Sequence, residues 1–335
     1  MNGRTVRWLM SLTHRPVGAG GGRLVVIRHH RVYADGAIPL YRLGVAASTL
    51  AAQLEMLRGL DRAPVTVAEG LERLAEGRSG TWVALSFDDG YADGVRRALP
   101  LLAAAEARAT FFLTAGLIEE RRPPWWDVLA HRLERTRAGR LPGQPFGLRR
   151  DLPLDGAPNR ARALGALLPA FRAPPGRQRA LLETLGELLE VGSDPACELA
   201  TWAEAEALRD AGMEVGAHTL THPFLSLLGP EAQRREVEGS ITLIERRLGV
   251  RPRGLAYPAG DHDDDSVAAA GSAGLAYAVT TRAGDVRPGT FRLALPRRGL
   301  SDGACLGPGG RFSRRLARAE LDGAFDGVRG VAVTP

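Results

Sequence analysis

The chain has 335 residues, which fits about two average domains or one α/β barrel carrying an insertion. With 44% hydrophobic and 24% charged residues it is neither wholly disordered nor a coiled coil, and two cysteines, Cys197 and Cys305, are too few for a disulfide framework or a four-cysteine zinc site. All 44 basic residues are arginine, which excludes a Walker lysine, a Schiff-base lysine and a Ser-Lys dyad, and the net charge of +6 is scattered among 38 acids without the basic run of a nucleic-acid binder.

The N-terminal stretch Met1 to Leu12 carries arginines and the cluster Trp8-Leu9-Met10, without the apolar core and small-residue cleavage site of a signal peptide. No apolar stretch reaches the ~18 residues of a membrane span. The expected location is the cytoplasm, with peripheral contact of this basic, Trp-bearing end with a membrane left open. Residues 1–23 read as an N-terminal extension.

Leu24 to Arg28 is a short β-branched run and reads as a buried strand. Ser48 opens a helix with Leu50, Leu54 and Leu57 on one face. Trp82–Phe87 is a second strand, ending at Asp88-Asp89-Gly90, and a helix through Val95, Leu99 and Leu102 leads to the strand Ala109–Leu113. From about 119 to 200 the alternation fails. That segment, with Pro123-Pro124-Trp125-Trp126-Asp127 and a helical stretch around Ala161–Leu189, reads as an insertion or cap. Alternation resumes with the helix Ala203–Ala211, the strand Met213–Ala217, the helix Glu231–Leu248, the strand Gly254–Tyr257, the helix Ser266–Gly271 and the strand Ala276–Thr280. Strands alternating with helices imply parallel pairing, and polar residues after strand ends mark the face where β/α barrels place their active sites.

Two such clusters stand out. Asp88 and Asp89 are adjacent carboxylates at a strand end; on extended backbone they point opposite ways, so one can face a metal and the other a substrate once the chain bends at Gly90. An N-cap and turn would use the same residues. His218-Thr219-Leu220-Thr221-His222 places two imidazoles four apart, on one face of a helical turn that Pro223 stops. Two histidines and a carboxylate form a catalytic zinc-type set.

Taken together, Asp-Asp-Gly, His-Thr-x-x-His and Ala256-Tyr257-Pro258-Ala259-Gly260, in this order after successive strands, resemble the polysaccharide deacetylase family (the NodB-homology, carbohydrate esterase 4 group). Ala109–Leu113, Gly212–Gly216 and His30-Arg31-Val32 agree with it. The resemblance spans residues 24–300, leaving 301–335 as a C-terminal extension. It implies a distorted (β/α) barrel and a divalent metal, zinc being expected and other divalent ions open, on Asp89, His218 and His222. It also implies Asp88 as catalytic base and the backbone N–H of Ala259 on the oxyanion. Tyr91, Trp125 and Trp126 are candidate substrate contacts, the tryptophans equally serving to anchor the cap.

Two departures qualify the resemblance. The motif arginine that orients the base is replaced by Ala256. Arg297 is the candidate substitute from another loop, the alternative being that Arg297 and Arg298 are solvated. No histidine follows His262 to supply the general acid, so His30, with His29 in reserve, aligns with the histidine that some relatives place near the N-terminus. The implied reaction is removal of N-acetyl from an amino sugar of a polysaccharide or glycolipid precursor. The alternatives are a deformylase or deacetylase of a lipid- or nucleotide-linked sugar, and a catalytically silent glycan-binding homologue. An N-acetylated carbohydrate is thus the expected partner and nucleic acid is not; the oligomeric state stays open.

Overall fold

The computed structural model describes residues 3–13, 21–37 and 39–326; most of the glycine-rich stretch 17–22 lies outside them. Seven parallel strands form the central sheet: β1 (Gly22–His29), β2 (Gly80–Phe87), β3 (Ala109–Leu113), β4 (Glu214–Ala217), β5 (Gly254–Ala256), β6 (Tyr277–Val279) and β7 (Arg298–Gly299). Their order is β6-β5-β4-β3-β2-β1-β7. One short stretch closes the ring. Leu295 bridges to Val279 of β6, and three residues later Arg298 and Gly299 pair with Ile27 and Arg28 of β1. The architecture is the distorted barrel expected from the sequence.

Strand period sorts the side chains into two layers. Leu24, Val26, Ala84, Phe112, Ala256, Tyr277, Val279 and Leu295 fill the lumen, with Leu71 and Leu74 among the residues of the helix Val67–Ala75 packed on them. Val25, Ile27, Val83, Leu85, Phe111 and Leu255 face the outer helices. Two glycines make the lumen possible: a Cβ at Gly216 would collide with the Phe112 ring, and one at Gly254 with the Tyr277 ring.

The insertion is a cap with its own apolar core, in which Leu129, Leu133, Leu164, Phe171 and Leu185 cluster. The single helical stretch expected over 161–189 is two helices, Gly156–Leu167 and Pro175–Leu189, joined by a 3-10 turn at Leu168–Phe171. Pro174 and Pro175 cause the break, because a proline disfavours helical backbone in the residue before it and suits the first turn of a new helix. Beyond the barrel, the helix Arg314–Leu321 packs on the N-terminal helix Gly3–Leu12. Buried arginines tie this layer down: Arg23 reaches Asp285 and Asp322, and Arg298 reaches Asp285 and Asp326. Arg298 is therefore not the solvated residue that the sequence allowed. The outer face of the N-terminal helix exposes Val6, Leu9, Met10 and Leu12. Among the described residues, no helix is long and apolar enough to cross a membrane.

Candidate active site

Asp88 continues the lumen phase of β2, two residues beyond Ser86, and its N–H donates to the His29 carbonyl at 3.0 Å. Its carboxylate meets the two terminal nitrogens of Arg297 end-on. Nη1 donates to Oδ1 and Nη2 to Oδ2, each at 2.7 Å. The guanidinium is held in turn by the Thr280 carbonyl at 2.8 Å and Ser86 Oγ at 3.0 Å. Barrel closure explains this placement, since Arg297 lies between Leu295 on one neighbouring strand and Arg298 on the other. Burial pushes the Asp88 carboxyl up, but the Arg297 charge and its bonds override this and hold the group well below the usual carboxylate range.

At Asp89 the backbone turns left-handed, φ 72°, so the chain reverses one residue earlier than Gly90. Asp89 Oδ1 then lies 3.3 Å from His218 Nε2 and 3.5 Å from His222 Nε2. The 218–222 segment is not a helical turn. Thr219 and His222 are both left-handed, with φ 63° and 59°, and side chains hold the loop in place of helix bonds. Glu236, on the helix Pro230–Leu248, accepts from the Leu220 and Thr221 N–H groups at 2.8 and 2.9 Å and from the Thr221 hydroxyl at 2.6 Å. Thr219 Oγ1 accepts the His222 N–H at 3.0 Å. Among the described residues, four of the eight non-glycine residues at positive φ (Asp89, Thr219, His222 and Ala259) belong to the three motifs, as expected where strain is kept for function.

The ligand atoms of Asp89, His218 and His222 all lie within 4.8 Å of one another. Donors about 2.0–2.2 Å from one tetrahedral ion stand about 3.4 Å apart, close to the two separations measured here. His218 Nδ1 donates to the Ala256 carbonyl at 2.6 Å, which leaves Nε2 as the lone-pair donor. The Trp126 ring packs edge-on against His222 at 4.4 Å, and burial together with the neighbouring His218 lowers the His222 pKa to about 3, keeping it neutral and able to ligate. The three residues fit a divalent metal.

The two N-terminal histidines separate by strand phase. His30 Nε2 lies 3.9 Å from Asp88 Oδ2. His29 points the other way, stacks on Phe87 at 5.4 Å and is buried among the outer helices. Ala259, with φ 54°, sits in the turn after β5, and its N–H has no acceptor among the described residues.

Two of the sequence-derived substrate contacts, Tyr91 and Trp126, are corrected because both are buried. Tyr91 is 3% exposed, and its hydroxyl donates to Asp127 Oδ2 at 2.9 Å while accepting from Trp126 Nε1 at 2.8 Å. It braces Trp126 and does not face substrate. Trp126 is buried as the wall behind His222. Trp125, half-buried, stacks face to face on Phe171 at 5.3 Å, so that face is closed to a sugar. Trp125 packs in this way on the apolar core of the cap. Residues that sequence reasoning missed include Glu236 and Asp127. Burial raises the Asp127 pKa to about 7, against the opposing Tyr91 bond. Asp127 also lines a cleft of about 450 Å³ with Arg31, Tyr33, Tyr41, His131 and Glu134. No short sequence pattern marks these residues, because each acts across elements.

The model of the family described as polysaccharide deacetylase matches residues 76–278. No curated protein matches the sequence. Among solved structures, the Streptococcus pyogenes deacetylase PplD in complex with acetate is 18% identical, with a TM-score of 0.57 over 86% of this chain and 96% of that one. IcaB from Ammonifex degensii is 20% identical, with a TM-score of 0.57 over 90% and 98%. A polysaccharide deacetylase from Bacillus cereus is 16% identical, with a TM-score of 0.55 over 90% and 69%. At these identities the likeness is one of fold.

Proposed function

The chain belongs to the polysaccharide deacetylase family and is a carbohydrate N-deacetylase, and on that premise we propose a metal-dependent reaction in which this site hydrolyses the N-acetyl group of an amino sugar in a polysaccharide or glycolipid precursor. The observation that carries the reading is the bidentate Arg297–Asp88 pair set beside the Asp89, His218 and His222 cluster. A divalent ion, zinc by its donor set, supplies Lewis acidity and acidifies water when bound there.

The residues of the chain do the rest. Asp88 takes a proton from the water that adds to the acetamide carbonyl, and the Ala259 N–H donates a hydrogen bond to the carbonyl oxygen as negative charge develops on it. Arg297 holds Asp88 in one orientation through its two bonds. His30, at 3.9 Å, carries the proton to the departing amine as the C–N bond breaks, giving acetate and an amino sugar. The matched family span starts after β1 and ends before Arg297, so the roles of His30 and Arg297 stand on this geometry. Arg297 also supplies the arginine missing from the motif, which was one of two grounds for reading the chain as a silent glycan-binding protein, the other being the small side chain of Ala259. The apolar outer face of the N-terminal helix supports peripheral membrane contact, which failure to sediment with anionic vesicles would reject.

Acetate release from a panel of N-acetylated glycans by the metal-loaded protein tests the reaction, and absence of acetate from every member would reject it. Within that assay, His30→Ala is expected to slow amide hydrolysis much more than hydrolysis of an aryl acetate, whose phenolate leaves without a proton. Equal losses on both substrates, or a selective loss only in His29→Ala, would reassign the acid.

A further inference from the structure

Arg28 is the residue of the active face that the reaction leaves unexplained. Strand phase places it in the lumen layer above Leu24 and Val26, opposite Ser86 on one side and Gly299 on the other. Both neighbours are small, which leaves its guanidinium room at the mouth of the barrel. The side chain is half-buried and lies within electrostatic reach of Asp88, Asp89, Arg297 and Tyr41. Among the described residues it makes no hydrogen bond and no ion pair.

The other arginines of the barrel wall behave differently. Arg23 and Arg298 each hold two carboxylates, and Arg297 holds Asp88. The acids near Arg28 are already engaged, Asp88 through both oxygens to Arg297 and Asp89 with the two histidines. Keeping a guanidinium partly out of water without a partner costs free energy, and arginine cannot escape by losing its proton. A neutral N-acetylhexosamine offers it hydroxyl and carbonyl oxygens but no charge to set against its own. An oxyanion carried by the sugar supplies that charge, and the guanidinium fork matches carboxylate and phosphate geometry.

Taken with the deacetylase reading, on which the identity of the ligand rests, we propose that Arg28 binds an anionic group, carboxylate or phosphate, on the sugar that this site deacetylates. The substrate is then an acidic or phosphate-bearing amino sugar, and Arg28 selects it.

The test reads binding and turnover separately. Metal-loaded wild type, Arg28→Met and Arg28→Lys are titrated calorimetrically with N-acetylglucosamine 1-phosphate, N-acetylmuramic acid and neutral diacetylchitobiose, and acetate release is followed on the same three compounds. Wild type is expected to bind at least one anionic probe about 10–100-fold tighter than the neutral one, the range of a charged hydrogen-bond pair. Arg28→Met erases that preference and Arg28→Lys restores part of it, while unchanged thermal melts show that the fold is intact. Preference for the muramic acid alone supports a carboxylate, and for the 1-phosphate alone a phosphate. A preference that survives in Arg28→Met, its absence from wild type, or an equal loss on neutral and anionic compounds overturns the assignment. Arg28-dependent anion binding without any acetate release would leave the anion site standing and remove the deacetylase reading.

Discussion

Asp88→Asn should cut acetate release by about 10²–10⁴-fold, the usual contribution of a general base, and should also lower Tm. The second effect follows from Arg297, which is 2% exposed and has Asp88 as its only anionic partner among the contacts described. Removing one member of a buried pair leaves an uncompensated charge and typically costs about 3–5 kcal/mol; asparagine, which still accepts one bond, should fall at or below the lower end. Arg297→Met strands the opposite charge. The Asp88 carboxyl, no longer held low, should titrate higher, moving the acid limb of the pH–rate profile upward. The sign for stability is fixed by the same shift. A carboxyl whose folded pKa is depressed stabilises the fold above its unfolded value, about 3.9, and loses that contribution as pH falls below it. Acid destabilisation of the wild type should therefore shrink in Arg297→Met. Combining the two substitutions should cost less than the sum of the single losses, measured by denaturant unfolding, because each single variant leaves a lone buried charge and the double leaves none. Strictly additive losses would mean that the pair does not act as a unit.

The barrel was legible because its strands are short apolar runs that stop at polar turns, and Asp88-Asp89-Gly90 and the 218–222 histidines sit at two such stops. Arg297 was harder. It is 209 residues from Asp88, and what aims it inward is a closing segment too short to show a period of its own. The resemblance put His30 ahead of His29, and strand phase separates the two on physical grounds: Leu24, Val26 and Arg28 face the lumen, so His29 faces the helices. Tyr91 misled for a related reason. It follows the aspartate turn, where a substrate contact is reasonable, but the cap lays Trp126 and Asp127 over it, and nothing local announces a covering that arrives 35 residues later. The loop between the histidines was read as a helical turn from spacing alone. Left-handed backbone at Thr219 and His222 is favoured by Glu236, whose three accepted bonds replace those of a helix.

That loop determines how the metal site should fail. His222→Ala is expected to lower metal affinity by more than the about 10–100-fold that changes around a ligand usually produce, and to abolish acetate release with it. His218→Ala should do the same through a different loss: His218 is fixed by the Ala256 carbonyl, whereas His222 is fixed by the Trp126 wall and the Thr219 hydroxyl. Trp126→Phe should therefore weaken metal binding through His222, and more mildly than either alanine variant, because it keeps a ring against the imidazole while removing the indole bond to Tyr91. Metal content by elemental analysis after dialysis at low free metal, beside acetate release, checks the series. The order expected is wild type, then Trp126→Phe, then the two histidine variants, with activity following occupancy. Full occupancy in the combined Asp89, His218 and His222 alanine variant would place the ion elsewhere. Full occupancy with lost activity in His222→Ala alone would make that imidazole a substrate-facing group, since Trp126 and the loop would still stand where they do.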